Sequence, residues 1–569
     1  MTTTNGRIDD NTVLLFTGLA AAASIAAAAT AAGTLARAAT GTLDGTQLRG
    51  SWLGTTGHAL IRGPGAAWDP APPAWLYYTL TIAIWCTTLA VTVWIWQRIK
   101  RGHTGGAQWG DRTGEKKLAL PEHPQQRRNR LTVGRGRTTG RILGARTNIS
   151  VTVIGVPGSA KTVGVLIPNA VEWAGPAVIT TAKPADLDRI YARRRMLGPV
   201  YVIAPAGIPG RTTHRWSPVD YCTDPKAASR MAKWMADAAA SAGDPRAASW
   251  VSQASSILKG ILLAANLDGG GVPKMREWLA LGEDAVDHVV AILEDHGHLE
   301  TARDYAGPWL RLHPDGKGSI SFTLNVLAQV YDDEEVQEAT SGSDFTAEHL
   351  LATNGTLCIV ASEGDAPRYA PLITAIIASV IHAAEDQYKR TGLPLEPALG
   401  ILVDEAGNML RYKRLPNVIT VGRGMGIVCL TIWHDISQLQ DAIGANGART
   451  VLSASGLRVL LPGCFDRETL SYFRDILGRT EVERSSRSVG SGGSTSTSYQ
   501  VSETDLAPTH ALREQDDFTA IAVDSNRRPV RVRMRLTFRS PDAHRRNFDR
   551  GLTRYMDLPD SEHVKDPAP

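Results

Sequence analysis

Cysteine is scarce in this chain. Its five residues, Cys86, Cys222, Cys358, Cys429 and Cys464, stand far apart, with no CxxC and no nearby histidine pair. That spacing argues against a zinc site, an iron–sulfur cluster and an oxidised framework, so the bulk of the chain reads as a reducing-compartment protein. Aromatic residues are few, at 6%. No HExxH, histidine cluster or multi-carboxylate metal set occurs, which argues against a nuclease. Neither sign of charge dominates, since the formal net charge is +4. With 43% hydrophobic and 21% charged residues the chain is globular rather than disordered or collagen-like. Its 569 residues allow about three to five units, which excludes a peptide hormone or a disulfide-stapled toxin. The Ala, Arg and Gly bias is that of a GC-rich bacterial genome.

Two stretches do lack charge over membrane-spanning lengths. Residues 13–32 (VLLFTGLAAAASIAAAATAA) supply about the 20 residues a span needs, with a cleaved signal peptide as the rival reading. Residues 74–96 are uncharged and rimmed by Trp75, Tyr77 and Tyr78 at one end and Trp94 and Trp96 at the other, as interfacial belts require. A buried soluble helix is the alternative there. The loop between carries Arg37, Arg49 and Arg62, whereas residues 97–146 hold 13 Lys and Arg against three acids. This asymmetry predicts two spans with both termini inside, at the inner (plasma) membrane. The basic run then serves as a topology anchor that meets anionic lipid, or as a DNA contact.

Further along, the β-branched run Ile149 to Ile154 leads into Gly155-Val156-Pro157-Gly158-Ser159-Ala160-Lys161-Thr162 and a helical segment. This fits the P-loop pattern GxxxxGK[ST] except at Ala160, and an ordinary Gly-rich turn is the bland alternative. Backbone N–H groups of such a turn cradle phosphates, Lys161 meets the β/γ-phosphates and the Thr162 hydroxyl holds Mg2+. The apolar run Ala398 to Val403 reads as a strand buried on both faces and ends in Asp404-Glu405. In a P-loop enzyme the first of these carboxylates serves Mg2+ and the second polarises the attacking water. From Asp224-Pro225, an N-cap and N1 pair, to about Ala339 helical periodicity dominates. Strands are expected at 355–360, 427–432, 456–461 and 530–538, a flexible loop at 485–498 (SSRSVGSGGSTSTS), and a weakly ordered tail after 540. The expected divisions are a membrane anchor (1–106), a first nucleotide-binding part (107–222), an all-α insertion (223–345), a second nucleotide-binding part (346–540) and the tail (541–569).

The ordered set of motifs resembles the type IV coupling proteins of the TraG/TraD kind. Its pieces are Trp109-Gly110, the P-loop followed by 164–169 (GVLIPN), 177–183 (AVITTAK), 217–220 (SPVD), 403–408 (VDEAGN), 422–427 (GRGMGI) and 436–439 (ISQL). The resemblance implies a RecA-like P-loop core with an inserted all-α domain, assembled as a homo-hexamer at the membrane. It also implies an ATP- and Mg2+-dependent motor that couples DNA and its relaxase (the relaxosome) to type IV secretion channel components. Arg423, 19 residues beyond Asp404, matches the family's arginine finger, with a plain surface arginine as the alternative. Three departures stand out: Ala160 for glycine, Thr181 for an aspartate that often precedes the motif's lysine (here Lys183), and His434 for a glutamine that senses the γ-phosphate. A satisfied strand-end histidine is the other reading of His434. Rival functions are an FtsK-like translocase of duplex DNA or secreted protein, and a non-hydrolysing membrane receptor with a degenerate P-loop.

Overall fold

The alanine-rich run at 13–32 lies within one helix, Asp10–Ala39, and the run at 74–96 within another, Ala74–Arg101. The computed structural model describes residues 10–41, 59–101, 106–239, 245–489 and 495–536. It divides into two compact units, Met1–Gly105 and Gly106–Pro569. In the first unit the two helices pack on each other. Ala29 and Ala32 bury against Trp68 and Tyr77, and a Cβ at Gly33 would meet the Trp68 ring at 2.3 Å. Small residues thus serve close helix packing here. Among the described residues one stretch, Ala74–Thr92, is long and apolar enough to cross a membrane, with 11% of it buried within the protein. Trp75 and Ile82, 70% and 63% exposed, place large apolar surface outside, which a soluble core helix does not do. The expected span at 13–32 coincides with the helix Asp10–Ala39, whose side chains before Ser24 lie outside the described residues.

The second unit is organised on an 11-stranded sheet of order β2-β1-β13-β12-β9-β3-β8-β7-β4-β6-β5. The seven strands from β9 (Leu457–Leu460) through β3 (Val151–Ile154), β8 (Ile427–Trp433), β7 (Leu399–Val403), β4 (Ala177–Thr181) and β6 (Thr356–Val360) to β5 (Val200–Ile203) run parallel. Such strands are buried on both faces, which is why they read as continuous apolar runs. Successive residues feed different cores: Val151 and Val153 join one cluster and Ile154 the other, as the period of two requires. Four antiparallel strands, β12 (Thr519–Asp524), β13 (Val530–Arg533), β1 (Thr132–Gly136) and β2 (Ile142–Gly144), extend the sheet past β9.

Between β5 and β6 the described regular elements are helices, from Pro225–Ala239 to Ala347–Ala352. The first is capped as expected, since Asp224 Oδ1 accepts from the N–H groups of Lys226 and Ala227 at 2.7 and 2.9 Å. The Ser-rich stretch at 485–498 departs from expectation. Apart from 490–494, outside the described residues, it belongs to an antiparallel hairpin of β10 (Arg479–Val489) and β11 (Thr495–Asp505). A long register supplies backbone pairing that its Ser/Thr composition conceals. β13 ends at Arg533, short of the expected 538, and the tail after 540 lies outside the described residues.

The basic run at 97–146 is not wholly a solvated anchor. Arg127 pairs with Glu172 at 2.6 Å, Arg135 with Glu122 at 2.9 Å, Arg137 with Asp516 at 3.5 Å and Arg146 with Asp524 at 3.8 Å. Four of its 13 basic residues are thus paired within the folded unit.

Candidate nucleotide site

The parallel topology brings the C-terminal ends of β3, β8 and β7 side by side. β3 runs into the turn Gly155 to Ala160. Gly155 N donates to Trp433 O at 2.9 Å, tying the turn to β8. A Cβ at Gly155 would meet Leu461 Cδ1 at 2.6 Å and Ser159 Oγ at 2.8 Å, so a larger residue would have to displace both side chains. Gly158 holds φ +84°, with open space where a Cβ would stand. Ala160 holds φ +61°, a left-handed conformation that glycine takes without penalty and alanine does not. The turn then enters a wide helical turn, Thr162–Leu166, before the helix Ile167–Glu172; such π-type turns gather at functional sites.

Lys161 is 6% exposed, and its Nζ lacks a hydrogen-bond partner among the described residues. It lies 3.6 Å from Glu405 Oε1. Thr162 Oγ1 donates to Asp404 Oδ2 at 2.5 Å. Asp404, 2% exposed, closes β7. Burial raises its pKa to about 6, against the pull of the Thr162 hydroxyl and Lys161 and with help from the Glu405 charge. Glu405 adopts φ +48°, ψ +48°, the strained backbone region that collects at functional sites. His434 follows β8; its backbone N–H donates to Gln438 Oε1 at 2.9 Å. Burial first, then the Lys161 charge, lower the pKa of its ring, which keeps the imidazole neutral at pH 7.

Sequence reasoning missed Glu363. It follows β6 and, with Glu405 and His434, offers ligand atoms that all lie within 4.8 Å of one another. Its only sequence signal is a single acid shortly after a buried strand. At Thr181 the side-chain Oγ1 donates to Asp186 Oδ2 at 3.2 Å and accepts from the Lys183 backbone N–H at 3.3 Å. Arg423 is exposed and stands apart from these groups. It lies in the last turn of the helix Leu415–Met425, capped by Gly426 at φ +77°. Gly426 ends the helix in a left-handed conformation, and no larger residue can replace it because a Cβ there would strike the Leu395 backbone at 2.5 Å. Arg423 therefore precedes β8, whereas Lys161, Asp404 and His434 follow the strands at the opposite edge of the sheet.

A family model for conjugative DNA transfer by the type IV secretory system matches residues 115–553. The chain belongs to that family. Within it, conjugal transfer protein TraG of Escherichia coli is 22% identical over 307 residues, 50% of this chain and 48% of that protein. The chain thus spans about half the length of this curated relative. Among solved structures, the bacterial conjugative coupling protein TrwBdeltaN70, unbound, superposes with a TM-score of 0.58 at 21% identity, over 78% of this chain and 94% of that one. TrwB with the non-hydrolysable analogue ADPNP gives 0.56 at 19%, over 76% and 94%. TrwB with ADP and Mg2+ gives 0.55 at 19%, over 78% and 96%. This family member therefore shares the mixed α/β, RecA-like fold of TrwB.

Proposed function

We propose that the chain is a membrane-anchored ATPase that couples a relaxase–DNA substrate to a type IV secretion channel and drives conjugative DNA transfer. The observation that carries this reading is the meeting of Lys161 and Thr162, after β3, with Asp404 and Glu405, after β7, inside a member of the conjugative transfer family. The residues fit a bound nucleotide. Lys161 Nζ and Glu405 Oε2 are buried polar atoms without hydrogen-bond partners among the described residues, and the space beyond Gly158 is open. Thr162 and Asp404 form the hard oxygen pair that suits Mg2+, which when bound neutralises phosphate charge.

In this reading the Gly155–Thr162 turn binds phosphate oxygens through backbone N–H groups and Lys161. Glu405 accepts the proton of the attacking water, and His434 stands beside the γ-phosphate position as a neutral donor. Arg423 acts on a neighbouring subunit of a hexameric ring. The helices at 223–345 form an inserted all-α domain, and the spans at 13–32 and 74–96 anchor the protein at the inner membrane with both termini inside.

The test is ATP turnover and nucleotide binding by the purified full chain, with and without DNA. Lys161→Ala should weaken nucleotide binding, whereas Glu405→Gln should keep binding and lose at least about 100-fold in turnover, the low end for an acid–base group. Nucleotide binding without turnover by the parent would favour the receptor reading, in which the site only docks partners.

A further inference from the structure

We propose that Glu363, Glu405 and His434 form a binding site for a divalent transition-metal ion of the Zn2+/Co2+ class, separate from the Thr162–Asp404 oxygen pair. One imidazole nitrogen and two carboxylate oxygens, all within 4.8 Å of one another, can meet a single ion. The donor set is mixed where the Thr162–Asp404 pair is all oxygen, and imidazole shifts preference from Mg2+ toward Zn2+ and its neighbours. His434 Nε2 and Glu405 Oε2 are buried and hold no hydrogen-bond partner among the described residues, so neither must abandon a bond to become a ligand. Their supports are rigid. Glu405 and His434 follow β7 and β8 by two residues and one, and these strands pair in register from Leu399↔Ile427 to Val403↔Thr431, while the Gln438 side chain holds the His434 backbone. The opposing force is also visible: Lys161 Nζ lies 3.6 Å from Glu405 Oε1, and a second cation there must compete with it.

Metal binding at this set does not depend on the ATPase reading. Its consequence does: an ion on Glu405 removes the carboxylate assigned to activate water, so such ions act as inhibitors against Mg2+.

The experiment uses the tag-free full chain in detergent without nucleotide, carrying Cys86→Ser because that thiol is exposed while the other four are buried. Co2+ is titrated while its visible absorption is recorded. One Co2+ per chain should bind, displaced by Zn2+ and not by millimolar Mg2+. Glu363→Gln and His434→Gln should each weaken binding by at least about tenfold, the lower end of what even an outer partner of a metal contributes. Lys161→Ala, which removes the competing cation, should tighten it, a change that a loosened fold would not produce. Absence of a Zn2+-displaceable band, or a band of parental affinity in both Glu363→Gln and His434→Gln, overturns the proposal. Zn2+ inhibition of ATP turnover, relieved in Glu363→Gln, is the separate readout of the consequence; a parent without turnover leaves the binding result standing.

Discussion

At the scale of single residues, Asp404 shows what burial does to a carboxylate of the site. Its carboxyl titrates near pH 6 in the folded protein, against about 4 in an unfolded chain. The folded state therefore binds the proton more tightly. The penalty for ionising Asp404 is absent below about pH 4, grows between 4 and 6 and is complete above 6. Asp404→Asn should stabilise the ligand-free protein by on the order of 2 kcal/mol at pH 8 and hardly at pH 4, read from urea unfolding at the two pH values. Ala160 is strained for a different reason. A left-handed L-residue costs about 1–2 kcal/mol, and the freedom glycine adds to the unfolded chain offsets about 0.4–1. Ala160→Gly should thus raise stability by up to about 1.6 kcal/mol in the same assay, without loss of nucleotide binding. Lys161, Thr162, Asp404 and Glu405 were legible because each sits in a contiguous pattern with a chemical reason for its spacing. Glu363 was not, since its place beside Glu405 and His434 depends on strand order rather than on neighbours in the chain.

Elements are held to one another by groups the motifs do not include. Glu172, at the end of the helix after the P-loop turn, is buried between Arg127 before β1 and Arg535 after β13. Removing one member of a buried ion set strands the others in low dielectric. Glu172→Ala should cost about 3–5 kcal/mol by thermal or chemical unfolding, with Glu172→Gln less damaging because it still accepts hydrogen bonds. Five of the seven buried parallel strands were readable as runs, all but β4 and β5, and Asp224-Pro225 was readable as a helix start. β1, β2 and β12 were not, because they form the antiparallel extension and mix small, polar and charged residues with apolar ones. The hairpin of β10 and β11 was read as a loop for a related reason. Its Ser- and Thr-rich strands lack the apolar signal, and its order comes from 11 paired residues on each side.

For the whole molecule, the sheet fixes which sites a single chain can complete. β8 is seven residues long, so its two ends lie roughly 20 Å apart at the rise of a strand. Arg423 precedes one end and the phosphate site adjoins the other, a gap no arginine side chain spans. Any action of Arg423 on ATP must therefore be on another chain. Mixing Arg423→Ala protein with Lys161→Ala protein, each inactive alone, should restore part of the ATPase activity in verified mixed rings. No recovery there, or near-parental turnover by Arg423→Ala alone, would reject that role. The same sheet has a temporal side. Among the described residues β1 and β2 join it through β13, and roughly 390 residues separate Gly136 from the start of β13 at Val530. At ribosomal speeds of about 5–20 residues per second, that first ribbon waits about 20–80 s for a strand to join. A prematurely terminated product never supplies one. It is left with β1 as an unpaired edge of the kind that invites pairing with another chain, so the ribbon is secured only once β13 has been made.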